Sequence, residues 1–224
     1  MMQPMPRVPP FDRPATYEDL VALPDLYVAE IVGGQLHASR PLAPLPNVAR
    51  SALLGMVGRG YGLGQDGPGG WWILILPELH FGSDVVVPDL AGWRRSRVPR
   101  FPDVDYFSVA PDWVCEVLSP PTVALDRAKE LPVYAREGVE HAWVLDAEAQ
   151  TLERLRLENG QWSLHGVHGG SRLRRLEREV QVSGHEGSSS IFRLAKSDLA
   201  KAESPQQATT TIFTTDIVCY SVSL

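Results

Sequence analysis

Trp113–Leu118, WVCEVL, is a short apolar run rich in β-branched residues, with one acid, Glu116, enclosed by Val114, Cys115, Val117 and Leu118. A second such run, Val85–Trp93, VVVPDLAGW, carries Asp89 directly after Pro88. Both read as core strands, and a carboxylate in a core strand costs several kcal/mol unless it is paired, protonated or metal-bound. Two interior acids on separate strands suggest a divalent cation site, because hard carboxylate oxygens suit Mg²⁺. A salt-bridged or hydrogen-bonded structural pair fits the same pattern, and the acids alone do not separate the two.

Working outward from these runs, Asp126–Glu137 reads as a helix closed by Gly138, with Pro132 bending or breaking it, and His141–Asp146, HAWVLD, as another buried strand. The resulting strand–helix–strand unit, Trp113 to Asp146, predicts a mixed sheet with a crossover helix. Three hairpins are expected around it. Gly33-Gly34 joins Tyr27–Val32 to Gln35–Ser39, Gly82-Ser83 joins Trp71–Phe81 to Asp84–Trp93, and Glu158–Gln161 joins Thr151–Leu157 to Trp162–Val167. Thr16 is placed to cap a short helix with Glu18 and Asp19 in its first turn. Ala49, Leu53, Leu54 and Val57 give Val48–Gly58 a helical period. The fold class is therefore α/β, a mixed sheet core flanked by helices with added hairpins.

The chain has 224 residues, 44% hydrophobic and 21% charged, a globular composition. No apolar run approaches the roughly 20 residues that a membrane span needs. Its two cysteines form no disulfide framework or zinc cluster, so a reducing, bacterial-type cytoplasm is the expected setting. A net charge of −6 argues against a surface that grips nucleic acid as a whole. It leaves room for a local contact screened by metal ions. The glycine-rich stretch Tyr61–Gly70 lacks the phosphate cradle of an NTPase. Residues 1–15 read as a flexible arm, 16–180 as the folded domain and 181–224 as an atypical, partly ordered tail rich in Ser, Thr and Gly.

A lysine beside two metal-binding acids would orient the attacking water and stabilise developing charge. The first lysine after Glu116 is Lys129, on the following helix. With it the pattern meets a resemblance. YVAEIVGGQLH at Tyr27–His37, PDLAGW at Pro88–Trp93, WVCEVLSPPT at Trp113–Thr122 and DRAKELPVYAREGVEHAWVLD at Asp126–Asp146 resemble, in order, the Uma2 family of restriction-endonuclease-like proteins. That family belongs to the PD-(D/E)XK nuclease superfamily. The resemblance implies a restriction-endonuclease-like core, Mg²⁺- or Mn²⁺-dependent cleavage of DNA, Asp89 and Glu116 as metal ligands, and a lysine moved from the strand to the next helix. The family's helix lysine usually stands four residues after the position of Asp126. Here that position is Glu130, and Lys129 comes one residue early.

Glu30 matches a recurrent family acid, and is either an accessory ligand or the partner of an arginine. Asp126 reads as the N-cap of its helix. Glu78 and His80 share one strand face and read as a solvated hairpin edge, and Arg94, Arg95, Arg97 and Arg100 as a solvated arginine loop. Cys115 reads as buried filler. The leading expectation is a metal-dependent DNA endonuclease with Asp89, Glu116 and Lys129 as catalytic residues, and a homodimer as candidate assembly. The alternative is a degenerate nuclease fold that binds DNA or a protein.

Overall fold

The computed structural model describes residues 12–41, 43–120 and 125–169. The expected tail, 181–224, and most of the expected arm lie outside them. In chain order the elements are α1 (Tyr17–Val21), β1 (Val28–Val32), β2 (Gln35–Ser39), α2 (Pro44–Val57), a π-helical turn (Gly58–Gly62), β3 (Trp71–Ile75), β4 (Leu79–Phe81), β5 (Asp84–Val86), β6 (Leu90–Arg94), β7 (Trp113–Leu118), a second π-helical turn (Asp126–Glu130) running into α3 (Leu131–Arg136), β8 (His141–Asp146), β9 (Thr151–Glu158) and β10 (Gln161–Gly169).

The strands form two sheets, a six-stranded one ordered β10-β9-β8-β7-β6-β3 and a four-stranded one ordered β2-β1-β5-β4. β7 and β8 pair in parallel, and the π-helical turn with α3 makes the crossover between them. All six residues of β7 are buried, Glu116 included, as expected of a central strand that is apolar at every other position.

One of the expected hairpins is divided between the sheets, each of its two strands contributing to both. Trp71–Phe81 was expected to be one interrupted strand; it is β3 in the large sheet and β4 in the small one. Pro77 cannot donate to a ladder, and Leu76 before it takes a positive φ of 49° that turns the chain out of the sheet. Asp84–Trp93 divides likewise into β5 and β6, and Val87-Pro88-Asp89 carries the chain from one sheet to the other. Asp89 therefore sits at a sheet-to-sheet crossing.

One core cluster joins the sheets: Val32, Leu79 and Val86 of the small sheet meet Ala91, Val114 and Val144 of the large one, with Val133 and Tyr134 of α3. On the other face of the large sheet, Leu53 and Val57 of α2 pack on Trp71, Trp113, Cys115 and Trp143. Gly92 makes that packing possible, since a Cβ there would lie 3.1 Å from Ile73 and 3.2 Å from Trp113. A third cluster seats Leu20 of α1 on Ile31, Leu36 and Val85 of the small sheet.

Pro132 acts as a register break. Its missing N–H removes one helical bond, and the preceding turn closes with the wider bond from Leu131 N–H to Asp126 O. Beyond the break α3 is an ordinary helix, ended by Gly138 at φ 77°.

Candidate active site

Antiparallel pairing sets Leu90 opposite Cys115 and Ala91 opposite Val114, so one step further along Asp89 comes opposite Glu116. The Asp89 backbone N–H points at Glu116 Oε2 across 3.4 Å. Asp89 Oδ2 accepts the Val117 N–H at 2.7 Å, and Oδ1 pairs with Arg50 Nη1 at 3.0 Å. Glu116 Oε1 accepts the Tyr134 hydroxyl at 2.7 Å. The two acids named from the sequence are thus brought together, each held by a side chain, Arg50 or Tyr134, on a helix the sequence had marked.

Arg50 itself is buried, and Asn47 Oδ1 accepts its Nη2 at 2.8 Å. It was legible in principle, because Arg50, Leu53, Leu54 and Val57 fall on one helical stripe, and a cation on the buried stripe needs a buried anion. Tyr134 lies among the core residues of α3. It is fully buried, and a buried hydroxyl needs an acceptor.

Three further acids are buried at the same place: Glu30, Asp126 and Glu130, the last only 2% exposed. Glu30 sits on β1 and accepts the Val87 N–H at 2.7 Å; its side-chain partner is Glu130, and no arginine pairs with it among the described residues. Asp126 opens the π-helical turn but is not its N-cap, which is Leu125. The charge of Asp126 acts on both Glu116 and Glu130.

Burial is the leading cause of the site's perturbed acidities. It raises Glu116 well above the carboxylate range, reinforced by the charges of Asp89 and Asp126. Glu130 rises in the same way, next to Glu30 and Glu116. Glu30 is pushed up to about 7. Asp89 is also raised, though Val117 and Arg50 oppose the shift. Burial and the neighbouring carboxylates likewise keep the Tyr134 hydroxyl protonated, so it stays a donor.

Lys129 faces elsewhere. Its Nζ donates to Gln35 Oε1 at 2.7 Å and lies 3.2 Å from His37 Nε2, both on β2. It makes no hydrogen bond to Asp89 or Glu116, and its neighbour Glu130 is the residue turned inward. The one-residue offset seen in the sequence is therefore a real change of direction. His37 stands opposite Glu30 in the β1–β2 ladder, so Lys129 lies over the strand pair that carries Glu30.

The other candidates take structural roles. His80 Nε2 and the Tyr17 hydroxyl both meet Glu78 Oε1, at 2.7 and 2.8 Å, and His80 stacks on Tyr106. The arginine loop is largely consumed rather than solvated. Arg94 pairs with Asp112 and Glu140, Arg97 with Asp112, and Arg95 lies over Trp72. Cys115 is fully buried, with its thiol acidity lowered by desolvation.

The donor set around Asp89 and Glu116 consists of carboxylate oxygens, which suits hard Mg²⁺ or Mn²⁺. Glu130 Oε1, buried and without a hydrogen-bond partner, is an oxygen that a cation would satisfy. Among the described residues, however, no group of three or more His, Cys, Asp or Glu side chains is arranged to close on one ion. The residues fit an ion held by a carboxylate pair and otherwise by water, the usual manner of Mg²⁺.

A family model described as "Uma2: Putative restriction endonuclease" matches residues 14–184. No curated protein matches the chain. Among solved structures, one titled as a "putative nuclease belonging to DUF820" from Anabaena variabilis is similar. It is 21% identical, with a TM-score of 0.56, covering 67% of this chain and 84% of that one. At that identity the likeness establishes a shared fold.

Proposed function

The chain belongs to the Uma2 family, and from that premise we propose that it is a divalent-metal-dependent endonuclease that hydrolyses DNA phosphodiester bonds. The observation that carries this reading is the meeting of Asp89 and Glu116, both buried, at the crossing between the two sheets. These two acids would hold the ion. When bound, Mg²⁺ or Mn²⁺ would polarise a phosphoryl oxygen and acidify a water.

The chain's own residues prepare that site. Val117 N–H and Arg50 orient the Asp89 carboxylate, and Tyr134 orients that of Glu116. Such fixed donors avoid reorganisation during the reaction. Lys129, over the β1–β2 pair, is the candidate cation for a substrate phosphate. DNA approaches a protein of charge −6 through this local site rather than through a basic face. A cytoplasmic homodimer completes the reading, and light scattering of the purified chain tests its assembly.

A second reading has its own support. Both Asp89 oxygens are already engaged, by Arg50 and by Val117, and the Lys129 ammonium is engaged by Gln35 and His37. A site so internally satisfied suits a nuclease fold kept for binding. Incubating supercoiled plasmid with the protein and millimolar Mn²⁺ separates the two. Cleavage that Asp89→Asn abolishes supports the enzyme. Intact plasmid together with a retarded DNA band supports the binder.

A further inference from the structure

The two sheets end in four edge strands, β10 and β3 of the large sheet and β2 and β4 of the small one. An edge strand presents unpaired N–H and C=O groups, and proteins blunt such edges by keeping them short, covering them or charging them. β2 and β3 have five residues each; β4 has three and is bridged by Phe107, whose carbonyl accepts the His80 N–H at 2.8 Å. β10, Gln161–Gly169, has nine residues and pairs only with β9 among the described residues. Its sequence, QWSLHGVHG, holds no Lys, Arg, Asp, Glu or Pro. A bulge at His165 interrupts its register, and that side chain turns to Glu158 Oε1 of β9 at 2.8 Å. Trp162, Leu164 and Val167 stand opposite Leu157, Leu155 and Glu153, which alternate along β9, so all three share one face of the sheet. On that face Leu155 and Trp162 pack against the main core. The core's apolar surface thus runs out to this edge, where Leu164 is 58% and Val167 53% exposed.

We propose that β10 is a self-association edge, on which a second copy of this chain pairs its own β10 antiparallel about a two-fold axis. This deepens the homodimer part of the reading above and does not depend on its metal chemistry. A two-fold antiparallel pair offers each strand the same ladder of donors and acceptors, so an unpaired edge is complementary to its own image. The pairing sets the Leu164 and Val167 side chains of the two copies on one shared face and takes their apolar surface from water. Charge decides for a second copy as the occupant. β10 places no Lys, Arg, Asp or Glu opposite its image, where like charges would repel. It offers a nucleic-acid backbone no lysine or arginine. The next stretch of the chain itself, residues 171–180, SRLRRLEREV, carries six charged side chains without apolar alternation, a poorer match to this edge.

The test is sedimentation velocity of the full-length chain across a dilution series, without DNA or metal. Wild type is expected at twice the chain mass of 24.7 kDa, and Leu164→Lys and Val167→Lys at the chain mass. Leu63→Lys, on the glycine-rich loop and more exposed than either, is expected to remain a dimer. Circular dichroism checks that each variant is folded, and should one fail to fold the other carries the result. Amide hydrogen exchange of wild type gives a second reading that needs no variant: the β10 amides are expected to be protected in the dimer and to lose protection on dilution. A monomeric wild type overturns the proposal, and β10 amides protected in that monomer would assign the edge to a segment of the same chain. A dimer that neither lysine disrupts also overturns it, by placing the contact on another surface. Plasmid cleavage is scored separately on the same samples, so failure of this interface and failure of the nuclease reading are told apart.

Discussion

The Tyr134 hydroxyl donates to Glu116 Oε1 at 2.7 Å, tying the crossover helix to the central strand at the acid that strand carries. The bond links packing to chemistry, because the ring belongs to the main core and the hydroxyl reaches the site. Tyr134→Phe keeps the ring and removes the donor. The expected result is a loss of about 1–3 kcal/mol in urea unfolding without metal, the cost of an unmet buried acceptor. A variant as stable as wild type would show that the bond contributes nothing.

Arg50→Met should be more damaging at neutral pH, because it leaves Asp89 buried without its cation. Breaking one partner of a buried pair costs about 3–5 kcal/mol. Adding Asp89→Asn removes the stranded charge, and the double variant should recover most of that loss. A double-mutant cycle by denaturant unfolding measures the coupling, and strictly additive losses would refute it.

Glu30 sets the expected pH dependence of the metal-free protein. Its folded pKa, about 7, lies above the ordinary 4.5, so the folded state holds the proton more tightly than the unfolded state. The associated stability is fully present below about 4.5 and is lost as pH rises through about 7. Glu116 and Glu130 shift in the same direction. The melting temperature in a chelator should therefore fall across this window, and Glu30→Gln should flatten the fall. Mn²⁺ should raise the melting temperature most at the alkaline end, where the carboxylates are ionised.

Lys129→Ala should lower any DNA cleavage about 100-fold, the scale of one lost oriented electrostatic group. Stability should hardly change, since Lys129 loses only its contacts to the exposed Gln35 and the half-buried His37. Glu130→Lys places a cation among the remaining buried acids. It should raise the melting temperature without metal and increase cleavage at limiting Mn²⁺. Wild-type rates in both variants would remove a lysine from the chemistry of this helix.

Deleting residues 181–224 should leave a cooperatively folding domain with its Mn²⁺ binding intact. The site residues all precede this segment, and the family match ends at residue 184. Thermal unfolding and Mn²⁺ titration of the truncated chain check this. Non-cooperative unfolding would assign the segment to the core.

The local elements were legible in the sequence because their causes are local. Gly33-Gly34 takes positive φ at both positions and closes the first hairpin. The apolar run Trp113–Leu118 is a fully buried strand. Asp89 and Glu116 stood out because acids inside such runs need partners that solvent cannot provide. The identity of those partners depended on contacts between residues distant in the chain, such as Arg50 with Asp89 and Glu30 with Glu130. So did the division of both strands of one apparent hairpin between two sheets, since alternation marks a strand without saying which neighbour it pairs with. The inward turn of Glu130 and the outward turn of Lys129 belong to the tertiary structure as well. Adjacent residues on a helical turn differ by roughly 100° in direction, and only the packing of that turn against β1 and β2 decides which one is buried.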